Sequence, residues 1–187
     1  MSIKKIALVT LLAASSFAAQ ADITILDGKL FAAETGHVTA EFLGSDAAYT
    51  NILIFDPQGQ SRSVFNGHAT PVGTIIDLGV FNAGTELKFQ LYVTNTGDRF
   101  NTGPASANTD NEIHASAVLD GNRRAVVGFE DLRGGGDRDY NDLQFRVTNV
   151  SSVSAVPEPS TWGMMLGGMG LLGFMARRRQ KATQISL

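Results

Sequence analysis

The sequence contains no cysteine, and this absence removes several kinds of chemistry at once. Without cysteine there is no disulfide framework, no thiolate zinc site and no cysteine nucleophile. No serine lies in a G-x-S-x-G context. The histidines lack the spacing of a metal site, and we expect each to be a surface residue or a hydrogen-bonded strand residue: His37, His68 and His114. We therefore expect no enzymatic activity; a hydrolase using paired carboxylates is the least favoured alternative.

The central part of the chain is also poor in positive charge. The net charge is −3, but six of the 15 basic residues lie in the end segments: Lys4, Lys5, Arg177, Arg178, Arg179 and Lys181. All 18 acidic residues lie between Asp22 and Glu158, where they face only nine basic residues, a net charge of −9. This balance argues against nucleic acid as a partner and favours cations.

Long amphipathic helices are missing too, and short apolar or alternating segments follow one another instead. Turn sequences such as Asp56-Pro57 and Asp120-Gly121 separate them. About eight short strands predict an all-β fold, an antiparallel β-sandwich of jelly-roll type. The predicted strands are Ile23–Leu26, Val38–Leu43, Asn51–Phe55, Ile75–Phe81, Leu87–Thr94, Ile113–Leu119, Arg124–Phe129 and Leu143–Val150. Its core is expected to contain Phe42, Phe55, Phe65, Phe81, Phe89, Phe129 and Phe145.

The first 21 residues have the pattern of a secretory signal peptide. Lys4 and Lys5 form its charged start, Ile6–Ala14 its apolar run, and Ala19-Gln20-Ala21 a cleavage site of small residues. The apolar run forms the predicted signal helix and is too short to span a bilayer. We expect the mature protein to begin at Asp22.

An acidic segment, Gly128–Val147, is the most informative part of the sequence: GFEDLRGGGDRDYNDLQFRV. Two short predicted strands enclose a loop in which Gly134, Gly135 and Gly136 allow backbone conformations that other residues adopt at a steric cost. Calcium takes about 6–8 oxygen ligands from carboxylates, amides and carbonyls. The candidate ligands for Ca²⁺ are Glu130, Asp131, Asp137, Asp139, Asn141 and Asp142.

Two features limit this interpretation. Asp137–Asn141 reads D-x-D-x-N as in an EF-hand, but Asp142 replaces the glycine at the sixth position and Thr148 the glutamate at the twelfth, so the loop is not an EF-hand. A solvated acidic hairpin is the alternative. We favour a bound cation because strands enclose the loop and Tyr140 is a candidate core anchor; an exposed, stacking Tyr140 ring is the other option.

A second polar segment, Asn95–Glu112, is long and rich in glycine and asparagine. Loops of this length in compact domains tend to be functional or disordered. A solvated loop is the favoured interpretation. The alternative is a second cation site or a ligand-facing surface built from Asp98, Asn101, Asp110 and Glu112.

The acidic segment also resembles the signature of a bacterial extracellular family, domain of unknown function 4114. The resemblance is tightest over Arg124–Val147, is looser back to about Asp22, and departs at Gln144, where an apolar residue is more usual. It implies a β-rich, calcium-binding module of no established enzymatic activity. The family's acidic motif falls on the six candidate calcium ligands named above, and its glycine triplet on Gly134–Gly136.

The end of the chain resembles the PEP-CTERM sorting signal of Gram-negative bacteria that make extracellular polysaccharide. The motif is Pro157-Glu158-Pro159, followed by an apolar segment to Ala176 and a basic cluster, Arg177–Arg179, that acts as a membrane stop. The sixteen residues Thr161–Ala176 would form a helix of about 24 Å, which is somewhat shorter than the roughly 30 Å hydrocarbon core of a bilayer. The resemblance implies transient insertion in the inner membrane and recognition by an exosortase; an ordinary permanent anchor is the alternative.

These expectations divide the chain into a signal peptide (1–21), a β-sandwich domain (22–150), a linker (151–156) and a sorting signal (157–182). Two functions remain open for the domain, which we place at the cell surface or in the extracellular matrix. It is a calcium-stabilised module that binds extracellular polysaccharide or a surface protein, or it is a structural biofilm-matrix protein in which calcium only stabilises the fold.

Overall fold

The computed structural model describes residues 22–153. The predicted signal helix, the C-terminal hydrophobic helix, the sorting motif and the basic cluster lie outside the described residues. The described part of the chain forms thirteen strands: β1 (Ile23–Ile25), β2 (Leu30–Ala32), β3 (Gly36–Gly44), β4 (Asn51–Phe55), β5 (Arg62–Asn66), β6 (Ile75–Phe81), β7 (Glu86–Leu87), β8 (Phe89–Val93), β9 (Arg99–Asn101), β10 (Ala115–Leu119), β11 (Arg124–Phe129), β12 (Leu143–Thr148) and β13 (Val150–Ser151).

All strand pairs are antiparallel, and they form three sheets. The largest has six strands in the order β1-β10-β11-β12-β3-β6. A second sheet has the order β5-β4-β8-β9, and a small third sheet has the order β13-β2-β7. The prediction of an all-β, antiparallel fold is therefore confirmed. Within residues 22–153, the helical structure consists of two single 3₁₀ turns, Pro57–Gly59 and Ala105–Ala107, and no helix is long and apolar enough to cross a membrane.

The six-stranded and four-stranded sheets share one apolar core. The sequence alternates so that one face of each strand is buried, as in β4, where Leu53 and Phe55 are buried and their neighbours are half-buried. Phenylalanine rings meet across the two sheets. Phe89 of β8 lies 4.8 Å from Phe145 of β12, and Phe42 of β3 lies 5.4 Å from Phe65 of β5, between ring centroids.

The predicted phenylalanine core is close to the observed one. Six of the seven rings are buried, and Phe81 is partly buried against the core. Phe100 falls within the predicted polar loop Asn95–Glu112, yet it is only 1% exposed. It belongs to β9, which pairs with β8 and divides the predicted loop Asn95–Glu112. One apolar side chain between polar neighbours was enough to form a short edge strand, because burying a phenylalanine contributes about 2 kcal/mol.

Four connections meet at one end of the two main sheets. The β11–β12 connection, Glu130–Asp142, is the acidic loop. The β3–β4 connection touches it through Ser45, whose hydroxyl donates to the backbone carbonyl of Asp142 at 2.5 Å. The turn before β9 and the connection before β10 also contact the acidic loop, through Asp98 and Asp110. The fold therefore holds the acidic loop from three sides.

Candidate metal centre

The acidic loop begins and ends in the six-stranded sheet. Phe129 of β11 pairs directly with Leu143 of β12, and both side chains are fully buried. The two ends of the loop are thus held at the spacing of an antiparallel pair, about 5 Å between Cα atoms. The side chains between them are fixed relative to the core.

The backbone of the loop is unusual over seven residues. Gly134, Gly135 and Gly136 have φ angles of +82°, +82° and +50°, which glycine adopts without steric cost. Arg138 and Tyr140 also have positive φ angles, 63° and 54°, where a side chain introduces strain. Non-glycine residues persist in this region only when surrounding contacts hold them there. The predicted role of the glycine triplet in shaping the loop agrees with this geometry.

Two glycines are required by close approach as well as by conformation. A Cβ on Gly136 would overlap the carboxylate of Glu130, and a Cβ on Gly128 would overlap the carbonyl oxygen of Tyr140. The loop therefore folds back over the end of β11 with its backbone in contact with β11. Tyr140 is half-buried, so its ring is neither a full core residue nor an open stacking surface.

Three of the predicted ligands converge at this place. One carboxylate oxygen from each of Glu130, Asp137 and Asp139 lies within 4.8 Å of the other two. Glu130 is only 1% exposed, whereas Asp137 and Asp139 are open to solvent. The group thus has a buried base and an exposed rim, as an ion that enters from solvent requires.

The electrostatics of this group favour a cation. Burial raises the pKa of Glu130, and the neighbouring carboxylates of Asp137 and Asp139 raise it further, although Tyr140 N–H donates to Glu130 Oε1 at 2.5 Å. Asn141 lies beside the group, and its side-chain amide donates to Asp139 Oδ2 at 2.5 Å. Three carboxylates so close repel one another when ionised, and a divalent cation would remove that repulsion.

The other two predicted carboxylates form a separate group behind the first. Asp131 is 4% exposed and accepts a hydrogen bond from the Asn51 amide at 2.8 Å, while Asp142 accepts from the Asp131 backbone N–H at 2.8 Å. Burial raises the pKa of Asp142 to about 7, and the carboxylates of Asp131 and Glu130 contribute to the increase. The six predicted ligands are thus divided between an outer group and an inner pair.

Asn51 is a functional candidate that sequence reasoning did not identify. Its side chain is fully buried, and its Oδ1 has no hydrogen-bond partner among the described residues. An unpaired buried amide oxygen costs roughly 1–3 kcal/mol. The signal was present in the sequence, because Asn51 occupies a core-facing position of a strand that is otherwise apolar.

A second set of contacts braces the loop from the connection before β10. The Asp110 carboxylate accepts from Gly134 N–H at 2.9 Å and contacts His114 Nε2 at 2.8 Å. Burial alone would raise the pKa of Asp110, but these hydrogen bonds lower it to about 2. From the turn before β9, Asp98 adds an ion pair to Arg133 at 2.6 Å. The connection before β10 therefore positions the glycine triplet.

This bracing accounts for the residues that we had considered for a second cation site. Asp98 and Asp110 are engaged with the acidic loop, Glu112 pairs with Arg138 at 3.3 Å, and the Asn101 amide bonds to Gln90. In residues 22–153, the only group of three or more potential ligands from histidine, aspartate and glutamate is Glu130, Asp137 and Asp139.

The histidines lie where the sequence indicated. His37 and His68 are exposed and hydrogen-bonded, and His114 is fully buried and satisfied. The His114 ring stacks on Phe100, with ring centroids 3.7 Å apart. Gln144, the departure from the family pattern, is a half-buried residue between core-facing neighbours of β12, and its amide donates to the Tyr140 carbonyl at 3.2 Å. A polar residue is therefore compatible with that position.

Comparison with known proteins agrees with both resemblances. Residues 71–149 match the model of the family described as domain of unknown function DUF4114, a range that includes β6 to β12 and the whole acidic loop. Residues 155–179 match the PEP-CTERM protein-sorting motif. No curated protein matches the chain. Residues 71–149 are therefore similar to the DUF4114 family, and the PEP-CTERM signal that follows them implies exosortase-dependent export toward the cell surface of a Gram-negative bacterium.

Proposed function

We propose that this protein is an exosortase-processed protein of the cell surface or extracellular matrix, with a calcium-binding β-sandwich that holds extracellular polysaccharide or a surface partner. The observation that carries the proposal is the convergence of Glu130, Asp137 and Asp139 on a strained loop with a buried base. Strained backbone in a position that surrounding contacts enforce is common at ligand sites.

Calcium is the cation that fits this donor set best. All three converging side chains offer hard oxygen ligands, and neither a thiolate nor an imidazole is part of the group. Calcium accepts irregular sets of about 6–8 oxygens, so the Asn141 amide, backbone carbonyls and water would complete the shell. In this proposal Asp131 and Asp142 hold the loop from behind.

Two finer assignments accompany the proposal. We assign the fold to the jelly-roll-like sandwiches, because the chain passes repeatedly between its two main sheets, as from β3 to β4 and from β5 to β6. We also propose that the protein is not an enzyme, because its clustered carboxylates share one loop and brace one another, whereas a glycosidase separates its acid from its base or nucleophile by about 5–9 Å across a substrate cleft.

A structural matrix protein is the second candidate. The observation that favours it is that the acidic loop is braced on several sides, through Asp98, Asp110 and Ser45, so an ion there would rigidify one end of the sandwich. In both candidates, exosortase cuts near Pro157–Pro159 after transient residence in the inner membrane. The two differ in whether the domain also holds a ligand.

Thermal unfolding of the full chain, purified in detergent, tests the calcium site. We expect millimolar Ca²⁺ to raise Tm relative to EDTA, because a ligand bound only to the folded state at a hundredfold excess over Kd stabilises it by about 2.7 kcal/mol. Asp139→Asn should abolish most of this gain while preserving the shape of the side chain.

Asp120→Asn is the matched control. Asp120 lies at the opposite end of β11, roughly 20 Å from the acidic loop at about 3.3 Å per residue, and it pairs with Arg124. This variant should keep the full calcium response. An equal gain in wild type and Asp139→Asn would show that the ion, if bound, uses other ligands.

A further inference from the structure

A polar cleft of about 400 Å³ lies where β7, β8 and β9 meet the segment after β4. It shares no lining residue with the acidic loop. Its volume falls within the range of small-molecule sites, about 300–1,000 Å³. The residues that matter for its chemistry are Lys29, Asp56, Glu86, Lys88, Gln90 and Asn101.

The wall of the cleft contains a ladder of hydrogen-bonded planar groups. Arg99 donates to Gln90 Oε1 at 2.7 Å, and Gln90 Nε2 donates to Asn101 Oδ1 at 2.8 Å. Asn101 Nδ2 then donates to the Ala107 carbonyl at 2.9 Å. Each NH₂ group uses one hydrogen in the ladder and has a second hydrogen to offer. The ladder therefore fixes a row of donors before any ligand arrives.

The rest of the cleft carries two positively charged and two negatively charged side chains. Lys29, Lys88, Asp56 and Glu86 line it, and Lys29 Nζ lies 3.4 Å from Glu86 Oε1. Asp56 Oδ1 is buried and has no hydrogen-bond partner among the described residues. The cleft is thus polar without a net charge, and one oxygen of its lining residue Asp56 is unsatisfied beneath the surface.

This combination is selective for hydroxyl groups. A hydroxyl both donates and accepts, so it can satisfy the amide donors and the Asp56 carboxylate at the same site. The two lysines and two carboxylates give neither an anionic nor a cationic ligand a net attraction, and an apolar ligand would leave polar groups unpaired. A ligand with many hydroxyls and no net charge, such as a neutral sugar, fits the balance.

The outer face of β8 and β9 extends the cleft. Gln90 and Tyr92 stand opposite Asn101 and Arg99, away from the core, and the Arg99 guanidinium lies 4.2 Å from the centroid of the Tyr92 ring. Ile52 lies opposite Tyr92 on the same half-buried face. A sugar chain has C–H faces and hydroxyl edges, and a face that sets Tyr92 and Ile52 beside the polar groups of Arg99 offers contacts to both.

We propose that the cleft and the adjoining β8–β9 face bind a neutral polysaccharide chain. One sugar unit occupies the cleft, with hydroxyls on Gln90, Asn101 and Asp56, and the following units lie along Tyr92 and Arg99. The inference rests on the proposed function, because it names the site and the ligand class of the binding module. It does not depend on the calcium ligands.

The test is calorimetric titration of the full chain, in a detergent without a sugar headgroup, with neutral and polyuronate oligosaccharides of increasing length. Wild type should bind at least one neutral series, and affinity should rise with length until the face is covered. Gln90→Ala should weaken binding about tenfold, the effect of one or two lost hydrogen bonds. Gln60→Ala, an exposed glutamine outside the cleft, should bind as wild type does.

Gln90→Glu provides a second variant that keeps the side-chain shape, should Gln90→Ala fail to fold; it should also weaken binding. No binding of any neutral series by folded protein, or binding of polyuronate alone that salt abolishes, would overturn the inference. Calcium stabilisation measured on the same samples separates the two proposals. A calcium-dependent Tm without glycan binding refutes the cleft alone, and glycan binding without a calcium response refutes the metal site alone.

Discussion

The two ends of strand β11 lie in the same sheet, yet their acidic residues are in opposite situations. At the Asp120 end, a tight turn places the carboxylate 2.7 Å from the Arg124 guanidinium, so charge is neutralised locally. At the Glu130 end, carboxylates face carboxylates. A turn that only reverses the chain pairs its charges, whereas the acidic loop keeps like charges together on a strained backbone. That difference is the main argument for a ligand at the second end.

The largest expected effect on stability comes from the close packing of the acidic loop against β11. Gly128→Ala should destabilise the fold by about 3 kcal/mol, because its Cβ would overlap the Tyr140 carbonyl in a fully packed region. Gly134→Ala, in the same loop but with open space around it, should cost only about 1 kcal/mol from its positive φ. Denaturant unfolding of both variants measures the difference. Equal costs would mean that the loop does not pack on β11 as described.

The electrostatic part predicts an unusual pH dependence. The pKa of Asp142 is raised from 3.8 to about 7, so the folded state binds its proton more tightly than the unfolded state. The contribution of Asp142 to the free energy of unfolding is fully present below pH 3.8 and is lost as the pH rises toward 7. In EDTA, stability should fall over this window by about 1–2 kcal/mol after allowance for solvent screening.

Asp142→Asn should remove most of this decline, leaving the smaller part due to the raised pKa of Glu130, and saturating Ca²⁺ should reduce it, because a nearby cation favours the ionised carboxylate. The lowered pKa of Asp110, about 2, acts in the opposite direction and below pH 3.8, outside the window. Unfolding free energies measured from pH 4 to pH 7 in EDTA check the sign. A rise in stability over that range would contradict the coupling of Asp142 to its acidic neighbours.

The bracing contacts give the smallest effect. Arg133→Met should lower Tm by at most about 3 °C, because the Arg133 side chain is 63% exposed and exposed ion pairs contribute little. The change should nonetheless weaken calcium binding a few-fold, since Arg133 and Asp98 hold the loop beside the glycine triplet. A lower Tm with unchanged calcium affinity would show that the Arg133–Asp98 pair has a purely structural role.

The sequence predicted the fold better than it predicted the site. Alternating apolar residues and turn sequences predicted most of the antiparallel strands, though not β2, β5 or β9, and most of the phenylalanine core, because burial of one strand face is a local, periodic property. Phe100 was the exception, since a three-residue edge strand leaves almost no pattern. The sequence predicted that Glu130, Asp137 and Asp139 belong to one loop, but it did not predict that their carboxylates converge.

The division of the six predicted ligands could not be read from the sequence. Asp131 and Asp142 have the same side chain as Asp137 and lie in the same loop. Asp131, however, bonds to Asn51 of β4, and Asp142 accepts from the Asp131 backbone N–H; only the tertiary fold brings these segments together. The polar cleft escaped notice for the same reason. Its residues come from four separate segments of the chain, and none of them belongs to a recognisable motif.

Direct measurement of bound calcium tests the central claim most directly. Equilibrium dialysis of the full chain against micromolar to millimolar Ca²⁺ should show a saturable site in wild type and in Asp120→Asn. The same site should be lost or strongly weakened in Asp139→Asn. Saturable binding of equal affinity in all three proteins, or no binding at millimolar Ca²⁺, would contradict the assignment of Glu130, Asp137 and Asp139 as a calcium site.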